Sequence, residues 1–318
     1  MEQTILDKPS GSQNAKFAFF YMLSLVSLII MAVSVVAIGF QLINKHVPDL
    51  LNQFSGVYND NALKIAISAL IIAAPIFYIM IWLIQKSLFV GVLDKEAGVR
   101  RWLTYFIMLV AAVVMIVWLI MTINSFLDGE LTTKFILKAL TAIFISAIIF
   151  TFYFYEIRRG QVAGQTSRLI LTYFYGSLAI ILIAFIAALF NVESPTEARN
   201  RKLDNTIVME FDTIDSAINQ YYNDKKKMPE SLDQLKEDYN YISDDTLTDA
   251  ATGKKYDYKV VAEKKYELCA TFHWSNKEEK NRQYFEMKDR WPHDAGYQCI
   301  GQKITVTDNA KPAPLPVR

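Results

Sequence analysis

Few side chains in this 318-residue chain are of types that could do chemistry at a site. Cys269 and Cys299 are the two cysteines, and His46, His273 and His293 the three histidines. Two readings compete for the cysteines. As a disulfide they would staple a loop, stabilising their domain by roughly 3–4 kcal/mol. With His273 and His293 they would make a Cys2His2 zinc site. Cys269 and His273 are four residues apart on a predicted strand, which separates their Cα atoms by about 13 Å. Zinc bonds of about 2.0–2.3 Å leave little room for both on one ion. An even cysteine count in an oxidising compartment favours the disulfide. No metal ligand, cofactor site or catalytic residue is assigned.

Other polar groupings are weaker. His46 and Asp49 form a short polar pair, a common arrangement. Asp244, Asp245 and Asp249 could hold calcium but lack the EF-hand spacing, so a solvated acidic turn is expected. No HExxH, GxSxG, Walker or GxGxxG pattern occurs.

The elements that position these residues differ sharply along the chain. Residues 1–190 hold 13 Lys+Arg and 9 Asp+Glu, and residues 191–318 hold 20 and 23. The first part is membrane-like and the second resembles an ordinary water-soluble domain. A single soluble globule is excluded. So is a basic nucleic-acid binder, because no region carries the charge it needs.

A bilayer core needs roughly 20 apolar residues as helix. Five such stretches are predicted: about 16–43, 62–85, 102–126, 133–155 and 169–192. The first is too long for a signal-peptide core and is expected to be retained. Lys86, Lys95, Arg100 and Arg101 follow the second span, and Arg158, Arg159 and Arg168 follow the fourth. Both loops lie on one side, which the positive-inside bias makes cytoplasmic. The N-terminus is then cytoplasmic and everything after the fifth span extracytoplasmic. Trp82, Trp102, Tyr105, Tyr153, Tyr155, Tyr173 and Tyr175 fall at the cytoplasmic ends and are expected to form an aromatic belt.

Inside the spans charge is scarce, which disfavours an ion-coupled transporter. Lys64 and Lys138 are expected to snorkel. Pro75 is expected to bend the second helix, and Asn124 to be interfacial. Ala62, Ala66, Ala69 and Ala73 recur on one helical face, which suits close helix packing. Gly160–Gly164 matches GxxxG but lies in a loop.

After the spans, Leu203, Ile207, Phe211, Ile214, Ile218, Tyr221 and Tyr222 form one stripe of an amphipathic helix. Pro195 is expected to break the fifth span, and the helix to end at Lys225–Lys227. PESLDQL predicts a short second helix. DAATGKK is a turn. YDYKVVA and KYELCATFH are predicted strands, with Tyr266, Leu268, Ala270 and Phe272 on one face. A third strand is expected at KITV near Ile304, and KPAPLPVR is a Pro-rich tail.

Residues from about 17 to 160 resemble a bacterial family of membrane proteins of unknown function, the DUF5671 domain. RRWLTY and LDGELTTKFILK carry most of that resemblance, with FQLINKHVPD and FYFYEIRR. It implies a four-helix membrane unit and no activity. Residues of about 195–301 resemble type IV pilin-like proteins, especially the major pseudopilin of type II secretion. The carrying residues are IDSAINQYYNDKKKMPESLDQL, with Tyr221, Tyr222, Pro229, Ser231 and Leu232, then DAATGKKYDYKV, YELCATF and WPHDAGYQC. The leader and the early Glu of pilins are not present ahead of this helix, so ordinary fibre assembly is in doubt.

The expected fold is therefore a multi-pass α-helical bundle of five transmembrane helices followed by a small extracytoplasmic α+β domain, a long helix on a short antiparallel sheet. Its parts are a polar cytoplasmic tail (1–16), a four-helix transmembrane domain (17–160), a loop with the fifth helix (161–192), the pilin-like domain (193–307) and a flexible tail (308–318). The expected function is non-enzymatic: a scaffold or interaction component of an envelope or pilin-type system. The alternative is a small-solute channel or transporter with an extracytoplasmic regulatory domain. The lipid bilayer is an expected partner, with pilin-system or other envelope proteins and further copies of the chain as candidates. No nucleic acid and no cofactor are expected.

Overall fold

The protein is described by a computed structural model over residues 11–49, 56–89, 98–158, 168–277 and 289–305, without the side chains of 11–17, 88–89 and 98–100. Lys95, Arg159, the Gly160–Gly164 segment, most of the polar tail and the Pro-rich tail lie outside the described residues. The chain divides into two compact units, Met1–Val192 and Glu193–Arg318.

The first unit holds α1 (Gly11–His46), α2 (Asp60–Phe89), α3 (Gly98–Leu127), α4 (Thr133–Arg158) and α5 (Arg168–Leu189). All five are long and apolar enough to cross a membrane. The shortest has 22 residues, about 33 Å at the helical rise, against a hydrocarbon core of about 30 Å. Helices satisfy every backbone group within the segment, which is what lipid demands. α1 is the hub and packs on α2, α4, α5 and α3. Its inward face carries Leu28, Met31, Val35 and Ile38, against Leu63, Ala66, Ile67 and Leu70 of α2. Ile65, Ile71, Ile72 and Ile79 of α2, with Leu109, Ile116 and Ile120 of α3, point away from the bundle. In water that surface would drive aggregation, whereas lipid tails cover it at no cost. The protein is a multi-pass membrane protein.

Tyr153 and the end of the fifth span depart from expectation. Ala66 and Ala73 are buried in the bundle, so the small-residue face is used within the chain. Pro75 lies within the continuous α2 and faces outward. Trp82, Trp102, Tyr105 and Tyr175 are exposed as a belt requires, but Tyr153 is not. It is buried among the packed helices and edge-on to Phe152, so it belongs to the core. The fifth span ends at Leu189, three residues short of Val192.

The second unit holds α6 (Pro195–Lys225), α7 (Leu232–Asp238) and a three-stranded antiparallel sheet of order β1-β2-β3 (Asp257–Ala262, Lys265–Phe272, Gly296–Lys303). Pro195 opens α6 rather than merely ending α5. Its missing N–H is one of the orphan donors of the first turn. Ser194 caps that turn, accepting from Glu197 N while Glu197 accepts from Ser194 N, a reciprocal capping box. At the other end Lys226 adopts a left-handed cap conformation (φ 54°).

The stripe of α6 and the inward face of β2 build one core. Ile207, Phe211, Ile214, Ile218, Tyr221 and Tyr222 meet Tyr266, Leu268, Ala270 and Phe272, and Leu232 and Leu235 of α7 close one side. The third strand lies at Gly296–Lys303 rather than at KITV. Its full pairing with β2, including Cys299 opposite Cys269, overrides the weak strand preference of Gly296, Gln298 and Gly301. Ile304 follows the strand, donating its N–H to Lys264 O and capping the core.

Candidate functional site

Two acids on the apolar stripe of α6 are the least expected feature of the second unit. Asp204 and Asp215 are eleven residues apart, three turns, so both lie among Val208, Phe211 and Tyr222. They are 2% and 3% exposed. Buried carboxylates need donors, and each has them. Asp204 accepts from the backbone N–H of His273 (2.9 and 3.0 Å) and Trp274 (2.8 Å), with His273 Nδ1 at 3.0 Å. It fastens the chain leaving β2. Asp215 accepts from the Tyr266 hydroxyl, the Arg290 guanidinium and Asn219 Nδ2. One turn away, Asp212 accepts from Trp291 Nε1 at 2.7 Å and pairs with Arg290. Together they hold the segment that feeds β3. The phenols answer to the same carboxylates. Burial first, then Asp215, pushes the Tyr266 hydroxyl well above the ordinary phenol range.

Replacing Asp215 by Ala strands the buried Tyr266 hydroxyl. Arg290 is half exposed and finds water, so its share is small. The expected loss is about 2–3 kcal/mol for Asp215→Ala and about 1 kcal/mol for Asp215→Asn, which keeps an acceptor. Amide exchange across residues 265–272 in the full chain checks both.

His293 lies flat on Phe272, ring centroids 3.8 Å apart, and is 2% exposed. Its Nδ1 lies 2.9 Å from Trp291 O, a carbonyl, so Nδ1 carries the proton and Nε2 is a bare acceptor. Among the described residues that Nε2 is buried without a partner. Asn276 clamps the same segment, donating from Nδ2 to Trp291 O and accepting His293 N–H. Burial lowers the His293 pKa, outweighing the Trp291 carbonyl and the charges of Asp204 and Asp294, while Lys277 adds to the lowering. The unfolded chain thus binds the proton more readily. Stability from this site is complete above the ordinary histidine value of about 6.5 and is lost as pH falls through the lower folded-state pKa. Thermal midpoints of the second unit should fall between pH 7.5 and 5, with a smaller slope in His293→Asn, whose amide can reach the same carbonyl.

Cys269 and Cys299 are joined by a disulfide across β2 and β3, with Cα atoms 4.0 Å apart. The four residues of the zinc alternative are thereby separated in role: two sulfurs bonded to each other, His273 held by Asp204 and His293 stacked on Phe272. The acidic turn likewise serves itself. Asp249 accepts from Ala251 N and Thr252 Oγ1, and Asp244 pairs with Lys236.

In the first unit, polar groups gather where the α1–α2 and α3–α4 connections meet. Lys45 Nζ donates to Asn191 O at 2.8 Å, and the Tyr58 hydroxyl lies 3.0 Å from the same oxygen. Lys45 thereby serves a carbonyl just past the C-terminus of α5, where cations are favoured. Thr132 donates to Asp49 Oδ2 and accepts from Phe135 N, capping α4. His46 Nδ1 lies 3.0 Å from Leu42 O, one turn back on α1. Lys64 pairs with Asp60 one turn back. Lys138 is 5.9 Å from the Phe40 ring, and a Cβ at Gly56 (φ +73°) would stand 2.5 Å from its Nζ. Lys64 thus reaches Asp60, while Lys138 lies close to Phe40 and Gly56. Lys134, 7% exposed, is buried beside them. The Lys45 and Tyr58 bonds to Asn191, the Thr132–Asp49 bond and the Lys138–Phe40 contact here fasten separate elements to one another.

The signal that would have revealed Asp204 and Asp215 was present: acids in the middle of an apolar helical stripe. No curated protein and no solved structure matches the chain. A family model does match it over residues 18–153, from α1 through most of α4, so that stretch is similar to DUF5671, a domain of unknown function.

Proposed function

We propose that the chain is a non-enzymatic membrane protein that holds a pilin-like domain on the extracytoplasmic side, as a scaffold or interaction component of an envelope or pilin-type system. The observation that carries this reading is the Cys269–Cys299 disulfide in the unit that follows an odd number of spans. Disulfides persist in oxidising compartments. The basic residues flanking the second and fourth spans independently favour the same orientation. The pilin-like character is supported by a long capped helix packed on a three-stranded antiparallel sheet, with Tyr221, Tyr222 and Leu232 buried at the helix-to-α7 corner. A non-enzymatic role is supported by the use to which the polar side chains are put. Asp204, Asp215, Asn276 and Asp249 are each spent on holding a loop.

Labelling of intact cells tests the reading. A membrane-impermeant reagent should reach a cysteine placed at exposed Tyr241 and miss one placed at Trp102, with Cys269 and Cys299 bonded on non-reducing gels. The reverse labelling overturns the orientation. Crosslinking in intact membranes should then recover an envelope or pilin-system protein. Solute flux through liposomes carrying the purified chain, retained after residues beyond 195 are deleted, would replace the scaffold with a channel.

A further inference from the structure

The outward face of the sheet places a third ligand beside the two sulfurs. Side chains alternate along a strand, so Glu267 and Cys269 share the face opposite α6. Register puts Cys299 opposite Cys269 and Gly301 opposite Glu267. Gly301 has no side chain, and a Cβ there would already touch Glu267 Cγ at 3.9 Å. Glu267 therefore leans across β3. Its carboxylate oxygen and the sulfurs of Cys269 and Cys299 all lie within 4.8 Å of one another. The face is open at Cys299, which is exposed, while Cys269 is buried.

We propose that reduction of the Cys269–Cys299 bond converts this staple into a binding site for a thiophilic divalent cation of the zinc class, with Cys269, Cys299 and Glu267 as ligands. The reductant is a phosphine or dithiol that supplies two electrons. With two protons they turn the disulfide into two thiols, and the cation displaces both protons as it binds the thiolates. Tetrahedral bonds of about 2.3 Å to sulfur and about 2.1 Å to oxygen set ligand atoms roughly 3.6–3.8 Å apart. The oxygen needs only a small shift, and the freed sulfurs separate by rotation about their Cα–Cβ bonds. Two thiolates and a carboxylate concentrate three negative charges on one face, and a divalent cation offsets most of them. Lys259, opposite Glu267 on the same face, competes for that carboxylate. Three protein ligands leave the fourth position to water. The inference does not rest on the orientation of the domain.

Cobalt(II) is the probe, titrated into the full chain in detergent. Thiolate-to-cobalt charge-transfer absorption is expected at one equivalent in phosphine-reduced protein. None is expected in oxidised protein or in Cys299→Ser. Glu267→Gln should bind at least ten-fold more weakly. Amide exchange of residues 265–272 in the reduced variant must stay close to that of reduced wild type, which keeps the comparison among folded proteins. No charge-transfer band in reduced wild type overturns the site. Equal affinity in Glu267→Gln removes the carboxylate from it and overturns the three-ligand proposal.

Discussion

Phe211→Ala should destabilise the second unit by about 3–5 kcal/mol, a large fraction of the roughly 5–15 kcal/mol that holds a domain folded. Phe211 is 0% exposed. Its ring stands edge-on to Tyr256, Phe272 and Trp291, at 5.1, 6.2 and 5.2 Å. These three come from the entry to β1, from β2 and from the segment before β3. Phe211 thus touches all three of these parts. Truncation removes its transfer free energy and leaves a cavity between helix and sheet that neither rigid element can collapse. Each lost ring pair adds about 0.5–1.5 kcal/mol beyond burial. Phe211→Leu keeps most of the volume and should cost about 1–2 kcal/mol. Urea unfolding of the full chain, followed by amide exchange in residues 265–272, separates the two variants. A loss below about 1 kcal/mol for the alanine variant would mean that another cluster organises this core.

What could be foreseen follows the strength of each physical signal. The five spans were legible because some 20 uninterrupted apolar residues have few alternatives to a membrane helix. α6 was legible because seven apolar residues keep a helical spacing over five turns, and its end was marked by three lysines. β2 was legible because Tyr266, Leu268, Ala270 and Phe272 alternate without a break. β3 was not, because Gly296 and Gly301 lower its local preference and its pairing with β2 decides the outcome. Tyr153 has the composition of an interfacial residue and the position of a core one, which only the packing of α4 distinguishes. Asp204 and Asp215 were not legible as buried groups because a helical acid usually faces water, and only their phase relative to Phe211 says otherwise. The stacking of His293 on Phe272 depends on a segment folding back from 21 residues away in sequence, which no local pattern carries.

Removing the disulfide should cost nearly as much as truncating Phe211, and by a different route. Cys269 and Cys299 are 30 residues apart. In the chain-entropy model a loop of that length raises stability by about 3–4 kcal/mol, chiefly by restricting the unfolded chain. The native contacts should change little, because β2 and β3 pair along their whole length with or without the bond. The paired replacement Cys269→Ala and Cys299→Ala is the proper variant, since a serine at 269 would bury a hydroxyl at a site 1% exposed. Its effect should resemble that of a reducing agent on wild type, and the reducing agent should do nothing further to the variant. The mechanism predicts where the loss is felt. Phe211→Ala should speed opening of the helix–sheet core in native-state exchange, whereas the alanine pair should lower the urea midpoint while leaving Trp291 packed on Phe211 and bonded to Asp212. If the alanine pair instead exposed Trp291 under native conditions, the bond would be holding the sheet's geometry rather than limiting the unfolded chain. A loss under about 1 kcal/mol would show that the segment between the two cysteines stays compact after unfolding.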